Sequence, residues 1–315
     1  MNKYLISIVV PFFNEEEVVD SFYKRLIESI NKCEKDDSEI KFELIFVDNG
    51  STDNTFDILS NLNDESRNIK IIKLIRNFGI DGGLKAGLSH TQSDAIILIH
   101  GDLQDNPDEI FSLIKYWKQG YKQVVIKYKP TKRENLFRKI GSYFYYKWAT
   151  FASNGLIMSG VSDFRLISKE VLNTYLQLPE SINLLRGILV WPGYTYKIHE
   201  SEKSQRIYGK SKLDIPTIIK YFKLPISLSP RLLYVIPAIS ILLFLFGSLF
   251  ITITFFYWIF SGNLIIEIEP RLTILIIITM LTSIMLGVVA AYLGIIFEEI
   301  KRRPNFIVEQ VINKS

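Results

Sequence analysis

The chain has 315 residues, 48% of them hydrophobic and 22% charged, with a formal net charge of +4. That length accommodates one large globular domain plus a membrane anchor. The charge is too slight to argue for nucleic acid and suits phosphate-bearing ligands or an anionic lipid surface, while the single cysteine, Cys33, excludes an intramolecular disulfide and a cysteine-rich metal site.

The first apolar run, residues 5–11, is too short for a signal-peptide core and reads as a strand. Further strand candidates lie at 42–48, 69–75, 95–100 and 123–128, with helical stretches at 15–32, 54–62, 83–89 and 107–118 between them. Short apolar runs alternating with amphipathic helices predict parallel βαβ units covered on both faces. Ligands of such sheets collect at the carboxyl ends of the strands. Polar clusters fall at those ends, at residues 11–15, 48–53, 76–81 and 100–105. Neither a Gly-x-Gly-x-x-Gly fingerprint nor a Walker P-loop occurs, so nothing supports hydride transfer or ATP hydrolysis.

Two of these clusters carry chemistry. In Val47-Asp-Asn-Gly-Ser-Thr-Asp53, a carboxylate at a strand end precedes residues that open a helix. This predicts a ligand contact for Asp48 and a helix cap for Asp53. In His100-Gly-Asp-Leu-Gln-Asp105, alternation along an extended strand sends His100, Asp102 and Gln104 to one side. An imidazole, a carboxylate and an amide oxygen would then hold one divalent ion, Mn²⁺ or Mg²⁺, against a diphosphate.

Aromatics crowd residues 135–152 together with Lys139 and Lys147, which predicts a helix lying in a membrane interface over about residues 132–153. Residues 214–231 read as a juxtamembrane connector interrupted by Pro216 and Pro225. Two uncharged runs follow, 232–260 and 272–297, each longer than the ~20 residues that cross a bilayer. Lys220, Lys223 and Arg231 precede the first run, and Lys301, Arg302 and Arg303 follow the second. By the positive-inside rule the head (1–213), the tail (298–315) and both termini face the cytoplasm of a plasma (inner) membrane crossed twice.

Taken together, Val9-Val-Pro-Phe-Phe-Asn-Glu-Glu16, Phe46-Val-Asp-Asn-Gly-Ser-Thr-Asp53, Arg76-Asn-Phe-Gly79 and Gly101-Asp-Leu-Gln-Asp105 resemble the family 2 glycosyltransferases. With Ser162-Asp-Phe-Arg-Leu166 and Arg206-Ile-Tyr-Gly-Lys-Ser-Lys212, the resemblance narrows to the polyprenyl-phosphate type. Dolichyl-phosphate mannose synthase and the bactoprenol glucosyltransferases are of this type, and residues 292–304 resemble the glucosyltransferase branch. The resemblance implies an α/β head of the A-type, Rossmann-like, mostly parallel glycosyltransferase fold, followed by a two-helix transmembrane domain. It implies transfer of a sugar, glucose from UDP-glucose first, to undecaprenyl phosphate by metal-assisted, inverting single displacement. GDP-mannose and a UDP-amino-arabinose derivative are the other donors it leaves open.

Carried onto this sequence, the resemblance gives catalytic roles to Asp102, Asp163 and Arg206. Donor contacts fall to Pro11, Asn14, Glu15, Asp48, Asn49, Arg76, Asp81 and Gly101, with Lys210, Ser211 and Lys212 in a lid over the diphosphate. Arg133 and Arg138 are the candidates for the acceptor phosphate, and a homo-tetramer is the implied assembly. A phosphate monoester is mostly ionised at neutral pH, so Asp163 is expected to orient sugar or acceptor rather than to remove a proton. Two positions depart from the family pattern, Asn49 and His100, each standing where an aspartate is usual. An imidazole ligand at 100 predicts weakened use of Mg²⁺ and a shift towards Mn²⁺. The departures also motivate an alternative, a catalytically degenerate membrane scaffold. A processive polysaccharide synthase fits less well, because it needs more spans and a Gln-x-x-Arg-Trp motif that the chain lacks.

Overall fold

The structure, a computed structural model, describes residues 4–62, 68–129, 136–178, 185–202, 225–261 and 268–314. Its first half alternates strand and helix: β1 (Tyr4–Phe12), α1 (Val19–Asp36), β2 (Ile40–Asp48), α2 (Thr55–Asn61), β3 (Asn68–Leu74) and α3 (Gly79–Leu88). It continues through β4 (Ala95–Leu98), α4 (Glu109–Lys118), β5 (Gln123–Tyr128), α5 (Leu136–Ala152), β6 (Val161–Ser168), α6 (Lys169–Gln177), α7 (Leu185–Ile188) and β7 (Tyr196–Ser201). Two long helices follow, α8 (Arg231–Ser261) and α9 (Ile268–Ile300), and then a last strand, β8 (Val308–Lys314).

All eight strands form one sheet in the order β7-β5-β6-β4-β1-β2-β3-β8. The block β4-β1-β2-β3 is parallel throughout, while β6 and β8 run antiparallel to their neighbours. Strand β1 shows why both faces are covered. Ile6, Ile8, Val10 and Phe12 point into one apolar layer with Phe22, Leu26 and Ile30 of α1. Val9 points into the other, with Leu84 of α3, Leu172 of α6 and Leu185 of α7. The spacing of Phe22, Leu26 and Ile30 is that of one helical stripe, so strand period and helix period meet along the same seam.

The five expected strands are present, and three more were not anticipated. Strand β6 carries Asp163 and Arg165 inside its apolar run, and β7 reads Tyr-Lys-Ile-His-Glu-Ser, so neither has the composition of a buried strand. Strand β8 comes from the segment expected to be a free tail. It pairs antiparallel with β3, Phe306 and Val308 pack on the second layer, and the Lys314 ammonium donates to the carbonyls of Ser60 and Leu62. Edge strands of this kind are half-exposed and polar on one side, which hides them from an apolar-run search. Ile312, packed against the first layer, makes the pairing testable: Ile312→Ala is expected to cost about 1–2 kcal/mol, read by thermal unfolding.

Within α8 and α9, Arg231–Leu249 and Ile278–Ile300 are long and apolar enough to cross a membrane, with mean hydropathies of 2.4 and 2.2. Many of their large apolar side chains, Phe246, Leu286 and Ile284 among them, are more than half exposed, a surface that suits lipid rather than water. Helix α8 begins at Arg231, and after α9 the chain returns to the sheet of the head at Val308. At the head end, the Arg231 guanidinium stacks 4.5 Å from the Phe151 ring of α5 and donates to Asn154. Helix α5 itself exposes Ile140, Tyr143 and Phe144.

Candidate active site

Strands β1, β2 and β4 end side by side, and the expected polar clusters meet where they end. Register pairs Phe12 with Asp48, and the Asn49 N–H donates to the Phe12 carbonyl at 2.9 Å. Asp48 is fully buried. One of its oxygens accepts the Ser51 N–H at 3.2 Å, and the other has no partner among the described residues. Burial pushes its carboxyl above the usual carboxylate range, against the opposing pull of the Ser51 bond and the Lys73 charge. A buried oxygen left without a donor calls for an explanation, since such groups are ordinarily hydrogen-bonded.

Asn49 has partners within the fold. Its Nδ2 donates to Asn77 Oδ1 and to the Gly79 carbonyl, and its Oδ1 accepts the Phe78 N–H at 3.0 Å. The amide ties the end of β2 to the turn before α3, an internal use of the position that a carboxylate, lacking N–H donors, would not reproduce. Gly50 between the two has φ +69°, and a Cβ there would stand 2.4 Å from the Arg76 carbonyl carbon, so only glycine fits.

The remaining donor-side candidates frame the same edge. Pro11 pairs with Val47 in register. Asn14, at φ 53°, accepts the Thr52 N–H at 2.8 Å, and the Glu15 N–H donates to Thr55 Oγ1 at 2.9 Å. Arg76 stacks 4.1 Å from the Phe78 ring and stays exposed. Asp81 accepts the Leu185 N–H at 3.2 Å, linking α3 to α7. Gly101 lies so close to Phe12 that a Cβ would meet its ring at 2.2 Å.

The residues expected to share an ion do not lie on an extended strand. Strand β4 ends at Leu98, and the chain turns through residues 101–103, with Leu103 at φ 59°. The turn is held by Asp105, which accepts the His100 N–H at 3.1 Å and the Tyr128 hydroxyl. Asp102 accepts the Gln104 N–H at 3.1 Å and its side-chain amide at 2.6 Å. Gln104 thus turns its N–H to Asp102 and leaves its oxygen without a partner among the described residues. His100 leaves this pair and faces Asp163, Nε2 to Oδ2 at 3.5 Å.

The cause is antiparallel register. Leu98 of β4 pairs with Arg165 of β6, and two residues further each way sets 100 opposite 163. Burial opposes charge on the His100 ring. The hydrogen bond to Asp163 and the charges of Asp105, Asp163 and Asp102 outweigh it and push the imidazole up to about 9. In this structure the His100 ring is paired with Asp163, while Gln104 is paired with Asp102.

Asp163 is the centre of this pair and of a second one. Arg186 of α7 donates to both of its oxygens, Nε to Oδ1 and Nη2 to Oδ2, each at 2.7 Å. Burial would raise the Asp163 carboxyl, but Arg186 and His100 together hold it well below the usual range. Arg165, fully buried beside them, donates to the Ser162 carbonyl, and its Nε and Nη1 have no partner among the described residues. Burial lowers the Arg165 guanidinium to about 10. Sequence reasoning missed Arg186; its only signal was a lone cation inside the otherwise apolar run 184–190.

Arg133, Arg206, Lys210, Ser211 and Lys212 lie outside the described residues, and Arg138 lies within α5. Among the described residues no three His, Cys, Asp or Glu side chains converge on a metal position.

Residues 7–176 match the family described as glycosyl transferase family 2. Similar curated proteins extend over almost the whole chain. A bactoprenol glucosyl transferase of Shigella phage SfX is 31% identical, covering 96% of this chain and 98% of its own length. A prophage bactoprenol glucosyl transferase homolog of Escherichia coli is 30% identical over 97% and 99%. An uncharacterized glycosyltransferase of Bacillus subtilis, YkcC, is 30% identical over 96% and 93%.

Proposed function

The chain belongs to the family 2 glycosyltransferases, and from that premise we propose that it transfers glucose from UDP-glucose to undecaprenyl phosphate at the cytoplasmic face of a membrane. The observation that carries this reading is the state of Asp163. With both oxygens engaged by Arg186 and His100, it is a poor base and unsuited to take a proton from a sugar hydroxyl. A phosphate acceptor needs no base, because it arrives already ionised. The apolar hairpin of α8 and α9, beside an aromatic α5, suits an acceptor delivered from lipid.

The reaction balances without a proton. A phosphate oxygen attacks the anomeric carbon as the bond to UDP breaks, inverting that centre and releasing UDP. Asp48 would hold the nucleoside through its unpartnered oxygen. A divalent ion would be held by Asp102 and Gln104, which offer hard oxygen ligands. When bound, the ion offsets charge developing on the departing diphosphate. Both departures from the family pattern, Asn49 and His100, have partners within the fold, which weakens the ground for a degenerate scaffold.

Asp48 gives a two-sided expectation. Its folded pKa is raised, so the ionised carboxylate is a stability penalty present above that pKa and relieved as pH falls through it. Asp48→Asn is expected to raise the ligand-free melting temperature by a few degrees at pH 7.5, worth about 1 kcal/mol. The same change should weaken UDP binding about tenfold, read by calorimetry.

The donor is tested by incubating the purified chain with undecaprenyl phosphate and UDP-glucose, GDP-mannose or a UDP-amino-arabinose derivative, with Mg²⁺ or Mn²⁺. A chloroform-soluble labelled product from UDP-glucose is expected, with neither metal strongly preferred. Product from another donor alone would replace the sugar assignment, and no product from any would favour a scaffold.

A further inference from the structure

Arg186 is the one cation in the described site whose guanidinium is fixed from behind and open in front. Its Nε and Nη2 form a fork on Asp163, while 41% of its side chain remains exposed and Nη1 has no partner among the described residues. Asp163 in turn is 6% exposed and braced by His100. A guanidinium held in this way loses little freedom when an oxyanion arrives, and its remaining donors present a planar edge suited to phosphate.

Its position decides which phosphate. The neighbouring Gly187 is in such close contact with Leu228 that a Cβ would stand 2.3 Å from Leu228 Cδ1. Leu228 belongs to the short stretch that enters α8 at Arg231. Tyr146 of the aromatic helix α5 and Asp81 of α3 both act electrostatically on Arg186. The guanidinium therefore sits where the head meets the first apolar helix. Of the donor-side features, the unpartnered oxygen of Asp48 and the exposed Arg76 lie at the end of β2 and the turn before α3, while Asp81, which accepts the Leu185 N–H, lies beside Arg186.

We propose that Arg186, oriented by Asp163, binds the phosphate of the lipid acceptor. The inference rests on the acceptor class proposed above and names the residue that recognises it. Asp163 is then a positioning residue, His100 its second brace, and the buried Arg165 adds positive potential behind the pair.

The test uses the full chain in detergent with farnesyl phosphate and its uncharged analogue farnesol, whose affinities are compared by tryptophan fluorescence. The unaltered chain should prefer the phosphate. Arg186→Gln should narrow that preference by about 10–100-fold while UDP affinity stays within about twofold, and Arg186→Lys should restore part of it. A preference that survives in Arg186→Gln overturns the inference. So does a loss confined to UDP, which would place the cation on the donor diphosphate. A lowered melting temperature with an unchanged ratio of phosphate to alcohol affinity would make Arg186 a structural pin only, again overturning it. Transfer to undecaprenyl phosphate is followed in parallel: no transfer by the unaltered chain overturns the acceptor class itself, and the inference with it.

Discussion

Asp163→Ala is expected to be the most damaging single substitution in the head. It strands Arg186, the His100 imidazolium and the buried Arg165 without their shared anion. Breaking a buried pair from one side costs about 3–5 kcal/mol, and the partial exposure of Arg186 places this case toward the lower end. Thermal unfolding should show the loss directly. Asp163→Asn keeps the shape and removes the charge, so a folded but inactive Asn variant separates the electrostatic role from packing. If Asp163→Ala melted within about 1 °C of the unaltered chain, the three-cation arrangement around it would be wrong.

The second large effect falls on the reaction rather than on the fold. Asp102 is partly exposed, its only partner in the described structure is Gln104, and it sits on the turn after β4. Asp102→Asn should leave the melting temperature close to unchanged and lower turnover by about 10²–10³-fold, the usual loss when stabilisation of a developing charge is removed. Chelation by EDTA should lower the unaltered chain to a similar level. Full turnover in EDTA, with Asp102→Asn still impaired, would mean that the carboxylate acts without an ion. His100→Gln supplies the contrast: it should change stability and the Asp163 pairing while leaving the metal requirement intact.

What was legible in the sequence follows from how each element is buried. Strands β1 to β5 are bounded by turn residues and carry apolar runs, so their positions were readable within two or three residues. The parallel centre put Asp48 and the 100–105 turn at strand ends on either side of β1, at the carboxyl edge that the βαβ pattern implied. The pairing of β6 with β4 was not legible, because Asp163 and Arg165 interrupt its apolar character and nothing local fixes its antiparallel register. That register alone explains why His100 meets Asp163 rather than Asp102. Arg186 was hidden for a similar reason: it reaches Asp163 across a separation of 23 residues. Strand β8 lies beyond the apolar hairpin and reads locally as a polar tail, although it closes the β3 edge of the sheet.

The most direct measurement of the central claim is a phosphorus-31 spectrum of undecaprenyl phosphate during turnover with UDP-glucose and the full chain in detergent. The phosphate monoester signal should disappear as a diester signal grows and UDP accumulates, and Asp102→Asn should suppress both changes. A monoester signal that persists while UDP is released would mean that the sugar goes to water or to a hydroxyl, and would contradict a phosphate acceptor at this site.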